Sequence, residues 1–87
     1  MKKYKNKLRY RSWHRGTKEA DLFLGNFFDK YSIKMNDKEL KLYEKFLNNI
    51  QDNDILYIIK GQKNWPSNCD KNIIKYLEEY INSEDIR

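Results

Sequence analysis

Apolar residues recur at intervals of three and four along most of this 87-residue chain, the spacing that places them on one face of an α-helix. The densest stripe lies between Thr17 and Ser32. It consists of Ala20, Phe23, Leu24, Phe27, Phe28 and Tyr31. A second stripe follows Asn36 and consists of Leu40, Tyr43, Phe46, Leu47 and Ile50. Three glycines and one proline are too few for a domain built on strands and tight turns. The pattern therefore predicts an all-α fold.

Helix-capping residues divide this pattern into five predicted helices. The first spans about residues 4 to 15 and stops at Gly16, because glycine readily adopts the left-handed conformation that closes many helices. Thr17 is predicted to cap the second helix with its hydroxyl. Asn36 and Glu39 have the spacing of a capping box, which places the start of the third helix there.

The last two helices are predicted from shorter stripes. The fourth follows Asp52 and ends at Gly61. Its inward residues are Ile55, Ile58 and Ile59. Ser67 and Asp70 are predicted to cap the fifth helix, beyond a loop that contains Trp65. Its inward residues are Ile73, Ile74, Leu77 and Ile81.

The length of the chain sets its domain organisation. A domain of this size buries only about 60 to 65 % of its unfolded surface, so it cannot be divided into two stable cores. Short connections between consecutive helices favour neighbours that pack side by side. We therefore expect a single domain over residues 1–87, folded as a compact five-helix antiparallel bundle, with residues 1–5 and 83–87 frayed.

Basic residues are concentrated at the start of the chain. The net charge is +5, and residues 1–18 contain eight basic residues and no acidic one. They are Lys2, Lys3, Lys5, Lys7, Arg9, Arg11, Arg15 and Lys18. The nearby rings of Tyr4, Tyr10 and Trp13 could stack on bases, so a small nucleic-acid-binding protein is the alternative reading. However, the remaining residues have a net charge of −3, and no recognition helix or RNA-binding signature is visible.

Several kinds of chemistry have little support in the sequence. His14 is the only histidine and Cys69 the only cysteine, so the chain predicts no internal disulfide, no metal site and no cysteine–histidine pair. No glycine-rich loop is present to cradle a phosphate. No apolar run reaches the roughly 20 residues of a membrane span, and no apolar segment follows the first lysines. We expect a soluble intracellular protein without membrane insertion.

The corner between the first two predicted helices mixes the most chemistry. Arg15 and Glu19 are four residues apart around Gly16. Each can simply complement a helix dipole, since Arg15 ends one helix and Glu19 begins the next. That local role does not explain why Trp13 and His14 lie in the same corner. Because arginine and tryptophan are enriched among binding hot spots, a recognition surface is the second interpretation.

The same corner carries a family motif. Arg15 to Glu19 read Arg-Gly-Thr-Lys-Glu, which matches the R-G-x-x-E motif of the succinate dehydrogenase assembly factors, the small flavinators. The flanking Ser-Trp-His-Arg-Gly and Glu-Ala-Asp-Leu-Phe-Leu-Gly-Asn-Phe look like the bacterial branch. Residues 36–47 resemble the family's third helix. Asp52-Asn53-Asp54-Ile55-Leu56-Tyr57 resembles its D-x-D-L-[FY] segment.

The resemblance implies a function. Members of this family bind the flavoprotein subunit of succinate dehydrogenase, and in some bacteria that of fumarate reductase, and promote covalent attachment of FAD to a histidine of that subunit. It implies a non-enzymatic assembly chaperone in the bacterial cytoplasm. We expect a monomer that holds no FAD stably, since no flavin pocket is recognisable, and that binds no nucleic acid.

The resemblance also implies where the partner binds. Arg15, Gly16 and Glu19 would form the partner-binding motif, on a bend that faces outward. Their neighbours in this role are Trp13, His14 and Asp21. We expect Arg15 to make a bidentate contact with a carboxylate or carbonyl of the partner.

Overall fold

The computed structural model describes residues 2–86 and contains five α-helices and one 3₁₀ turn in that range. The helices are α1 (Lys2–Trp13), α2 (Lys18–Tyr31), α3 (Asp37–Asn49), α4 (Asp52–Ile59) and α5 (Lys71–Ser83), and the 3₁₀ turn is Ser32–Lys34. The predicted all-α fold is confirmed. The ends predicted to fray include Met1 and Arg87, which lie outside the described residues. Residues 2–5 belong to α1, and fraying in solution stays a prediction.

Local capping sets most helix starts, as predicted. The Thr17 hydroxyl accepts a hydrogen bond from the Ala20 N–H (3.3 Å). Asn36 and Glu39 form the complete capping box, because each side chain accepts from the other residue's backbone N–H. These bonds satisfy donors that have no partner inside the helix.

Three predicted helix boundaries are wrong. The fifth helix begins at Lys71, because Asp70 alone caps it and accepts from two backbone N–H groups, while Ser67 lies three residues too early. The first helix ends at Trp13, two residues before Arg15, because the backbone N–H of Arg15 turns to the Asp21 carboxylate. The fourth helix ends at Ile59, two residues before Gly61.

The helix α2 lies at the centre of the bundle and contacts α1, α4 and α5. It runs antiparallel to α1, since Trp13 meets Gly25 while Arg9 pairs with Asp29 further along α2. The two predicted stripes of α2 and α3 are buried without exception. Ile59 and Ile74, both predicted to face inward, are only half-buried.

Several core contributions were not predicted from periodicity. From α1, Leu8 and Ser12 are fully buried, and the Ser12 hydroxyl lies 2.6 Å from that of Tyr43. The loop before α5 is held by Trp65, whose indole N–H donates to Glu78 (2.7 Å). None of the helices described between residues 2 and 86 combines the length and the hydrophobicity needed to cross a membrane.

The fold is sensitive to alkali because it raises the pKa of four tyrosines, Tyr4, Tyr43, Tyr76 and Tyr80. Burial, together with a hydrogen bond to Glu44, raises the pKa of Tyr4 to about 12, and burial also raises the pKa of Tyr43. In the unfolded chain a tyrosine ionises near pH 10. The folded state therefore holds these protons more tightly, and its stability is complete below about pH 10 and falls as the pH rises towards 12.

We expect urea unfolding to give a smaller free energy at pH 11 than at pH 9. Tyr4→Phe removes one of these four groups, so the free energy of unfolding of this variant should depend less on pH over the same interval. An identical pH dependence in the variant and the original chain would contradict the role assigned to Tyr4.

Candidate functional site

The segment that joins α1 to α2, residues 13 to 21, is here called the elbow. At its tip Gly16 has a φ of +124°, a backbone conformation that residues with a Cβ atom rarely adopt. The Asp21 carboxylate closes the turn, because it accepts from the backbone N–H groups of Arg15 and Gly16. A Cβ atom on Gly16 would also lie 3.4 Å from the Asp52 carboxylate. Glycine is therefore required at the tip by its backbone conformation, since 3.4 Å is an ordinary contact distance for a Cβ atom.

The Arg15 side chain turns inward and binds the junction between α3 and α4. Its guanidinium donates to the carbonyl oxygens of Leu47 (2.7 Å) and Ile50 (2.8 Å) and to the carboxylate of Asp52 (3.1 Å). The side chain is 14 % exposed. The last carbonyls of a helix lack partners within the helix and carry partial negative charge, so a guanidinium fork satisfies them well.

The expectation that Arg15 faces outward is therefore wrong. The negative end of α3 and the Asp52 carboxylate attract the guanidinium more strongly than solvent does, and together they hold it against its own chain. Arg15 connects the elbow to the opposite side of the bundle. Any role of this residue in partner binding must then act through the position of the elbow.

Trp13 fixes the other side of the elbow by packing on Gly25 of α2. A Cβ atom on Gly25 would lie only 2.2 Å from the indole ring, so the ring occupies the space left by the missing side chain. The indole N–H donates to Asp29 (3.2 Å), which also pairs with Arg9 (2.7 Å). Trp13 is half-buried and serves mainly to join α1 to α2.

His14 is exposed and stacks on Tyr10, with the two ring centres 4.1 Å apart. Its Nδ1 lies 2.8 Å from the Tyr10 carbonyl oxygen. A carbonyl oxygen can only accept, so Nδ1 carries the hydrogen of this bond and Nε2 is the ring nitrogen left for other contacts.

Glu19 presents its charge outward from the first turn of α2. Its carboxylate forms no hydrogen bond or ion pair with any of residues 2–86, and the positive end of the helix stabilises it there. The motif thus has two parts that point in opposite directions. Arg15 and Asp21 hold the elbow from inside, while Glu19 is available to another molecule.

The elbow adjoins a concave part of the surface. A shallow depression beside it is lined by Trp13, His14, Gly16, Thr17, Lys18, Asp21 and Leu22. In the described range, no group of three or more His, Cys, Asp or Glu residues is arranged to hold a metal ion. Burial raises the pKa of the Cys69 thiol, which makes it a weaker nucleophile at neutral pH.

The alternative of a nucleic-acid-binding first helix loses much of its support. All three arginines of the basic segment form ion pairs within the chain: Arg9 with Asp29, Arg11 with Glu44, and Arg15 with Asp52. Of its three rings, Trp13 packs on Gly25 and Tyr4 donates to Glu44, so Tyr10 is the ring that remains mostly exposed. The three arginines and two of the three rings are thus engaged in the fold, whereas the five lysines of the segment form no ion pair with any of residues 2–86.

The six predicted residues all lie in the elbow, but sequence reasoning missed the residue that anchors it. Asp52 bonds to Arg15 and lies next to Gly16, although 37 residues separate it from Arg15. The one indication in the sequence was that Asp52 begins the second segment that resembles the family. Nothing in the local sequence pattern predicted that this segment contacts the elbow.

This geometry defines the class of the protein, a small helical protein with a fixed, charged elbow. Comparison with known proteins identifies its family. A sequence profile described as the flavinator of succinate dehydrogenase matches residues 6–81. The chain belongs to this family, which confirms the resemblance carried by the motif.

Individual relatives agree. The chain is 33% identical over 82 residues to succinate dehydrogenase assembly factor 2-B, mitochondrial, of Drosophila mojavensis, covering 93% of this chain and 52% of that protein. It is 35% identical over 82 residues to assembly factor 2 of Schizosaccharomyces japonicus, covering 93% of this chain and 57% of the relative. The chain thus spans about half the length of these curated relatives. No solved structure matches it significantly.

Proposed function

We propose that this chain binds the flavoprotein subunit of succinate dehydrogenase and promotes covalent attachment of FAD to it. The observation that carries the proposal is the family match over residues 6–81, which includes the whole elbow. The unpaired Glu19 carboxylate at the elbow surface supports the same site.

We divide the six elbow residues into three that contact the partner and three that hold the elbow in position. Glu19 accepts a hydrogen bond from a donor on the partner, His14 offers its Nε2, and Gly16 lets the partner approach the backbone closely. The other three, Arg15, Asp21 and Trp13, keep these groups in place through their contacts with α2, α3 and α4.

The chemistry of attachment belongs to the partner. The elbow contains no nucleophile paired with a base, so the chain acts by binding one conformation of the flavoprotein more tightly than the others. In that conformation the partner's histidine and the FAD are aligned for reaction, and alignment of this kind accelerates reactions strongly. On this account the chain is not an enzyme, holds no FAD of its own and works as a monomer.

Co-expression tests the proposal. The flavoprotein subunit is produced with and without this chain in cells that lack any other assembly factor, and covalent FAD is read as in-gel flavin fluorescence. We expect bright fluorescence only with the chain present, and co-purification of the two proteins. Equal fluorescence in both samples would contradict the proposal. A fumarate reductase flavoprotein in the same assay tests the second client.

The place of action that we propose is the bacterial cytoplasm. The flanks of the motif resemble the bacterial branch, whereas the mitochondrial location belongs to the relatives by name. Fractionation of the source cells tests this, and recovery of the chain in another compartment would contradict it.

A further inference from the structure

An apolar groove lies next to the elbow, between α2, α4 and the end of the chain's last helix. Its walls come from four segments that the fold brings together. The apolar lining consists of Leu22, Phe23, Leu56, Ile59, Tyr80 and Ile86. Leu22 is 45 % exposed, so the groove opens to solvent along α2. It is the most apolar of the surface depressions found in the described part of the chain.

Two opposite charges border the groove. Glu19 lies on the α2 side and Lys60, the C-cap residue that follows α4, lies on the other. Neither side chain forms a hydrogen bond or an ion pair within residues 2–86. The motif's outward carboxylate therefore stands at the edge of an apolar strip, where any molecule that covers the strip also removes water from the carboxylate.

We propose that this groove receives a large apolar side chain of the flavoprotein partner, from a segment that also places an arginine or lysine beside Glu19. The inference rests on the proposed function and adds the chemistry of the partner segment. Covering the apolar lining stabilises the complex by burial. Removing water from a carboxylate is costly unless a cation or N–H donor replaces it, which selects a basic neighbour at that position.

A second copy of this chain is a less suitable occupant. A stable interface takes about 20 to 30 residues from each side, far more than line the groove. The groove reaches a suitable size only together with the depression beside the elbow, and the two share Leu22.

Leu22→Gln tests the proposal, with Ile33→Gln as the matched control. Ile33 is 82 % exposed and lies in the 3₁₀ turn, away from the groove. The affinity of each purified variant for the flavoprotein subunit is measured by titration calorimetry. We expect Leu22→Gln to bind about tenfold more weakly, since it loses roughly half of a leucine's burial, and Ile33→Gln to bind as the original chain does.

A second variant tests the same groove in case Leu22→Gln does not fold. Asn26→Arg places bulk and positive charge on an exposed groove residue, so it should both fill the groove and repel the basic neighbour. Unchanged affinity in either folded groove variant overturns the inference while leaving the proposed function intact. Failure of the original chain to bind the subunit overturns both. A dimer of the original chain in sedimentation, dissociated by Leu22→Gln, would assign the groove to a second copy and also overturn the inference.

Discussion

Replacement of Arg15 by alanine is expected to destabilise the whole fold. The change removes three hydrogen bonds at the α3–α4 junction and leaves the Asp52 carboxylate and two carbonyl oxygens without their donor. Losing a partly buried charged network of this kind costs about 2 to 3 kcal/mol, after a discount for the partial exposure of Asp52. In a domain of this size we expect the melting temperature to fall by roughly 10 to 20 °C.

Arg9→Ala is the matched control for this prediction. Arg9 lies on α1, shortly before the elbow, and also pairs with an aspartate, but the pair is exposed, so its loss should leave the melting temperature nearly unchanged. Arg15→Lys keeps the charge and loses the planar fork, and it should melt between the original chain and Arg15→Ala. A melting curve of Arg15→Ala that matches the original would refute the inward role of this residue. Any loss of function in this variant would then come from a lost contact with the partner and not from an unfolded chain.

Gly25→Ala is expected to destabilise the chain although it puts a better helix former into the middle of a helix. The higher helix propensity of alanine should by itself stabilise the fold by about 1 kcal/mol. Against it, the new methyl group would lie 2.2 Å from the Trp13 ring, so the half-buried ring must move away from α2 and its hydrogen bond to Asp29 must change. Displacing it loses packing worth about 3 kcal/mol, so we expect a net loss near 2 kcal/mol and a melting temperature lower by about 10 °C.

The double variant gives this prediction its sharpest test. In a Trp13→Ala background the ring is absent, and Gly25→Ala should then raise stability by its helix propensity alone. The sign of the Gly25→Ala effect is thus expected to reverse between the two backgrounds. The same sign in both would show that Trp13 does not determine the need for glycine here.

Periodicity and capping explain why much of the fold could be predicted. Residues such as Phe27 and Tyr43 fall on stripes that only a helix can bury together, and Thr17 and Asn36 act on N–H groups three residues away. All of this information is local in sequence. It placed the elbow correctly between the first two helices.

The direction of Arg15 could not be predicted in the same way. Its partners Leu47, Ile50 and Asp52 lie more than thirty residues further along the chain, and only packing brings them to the elbow. The contact of Trp13 with Gly25 depends likewise on how α1 and α2 are aligned. A family motif marks residues that matter, but it does not distinguish a residue that touches a partner from one that supports the surface.

In this protein we assign the supporting role to Arg15, which holds the elbow, and the contacting role to Glu19, which binds the partner. Glu19→Gln tests this assignment, with Asp37→Asn as control, since Asp37 is an exposed acid in the first turn of α3. Each change loses only about 0.5 kcal/mol of helix-dipole stabilisation, so both variants should melt within a few degrees of the original chain.

The measurement is the rate of covalent FAD attachment to the purified flavoprotein subunit at a fixed, subsaturating concentration of each variant. Loss of a charge-assisted hydrogen bond weakens binding roughly 10- to 100-fold, so Glu19→Gln should slow attachment by at least tenfold while Asp37→Asn matches the original chain. Attachment at the original rate with Glu19→Gln, in a protein that melts normally, would contradict the account.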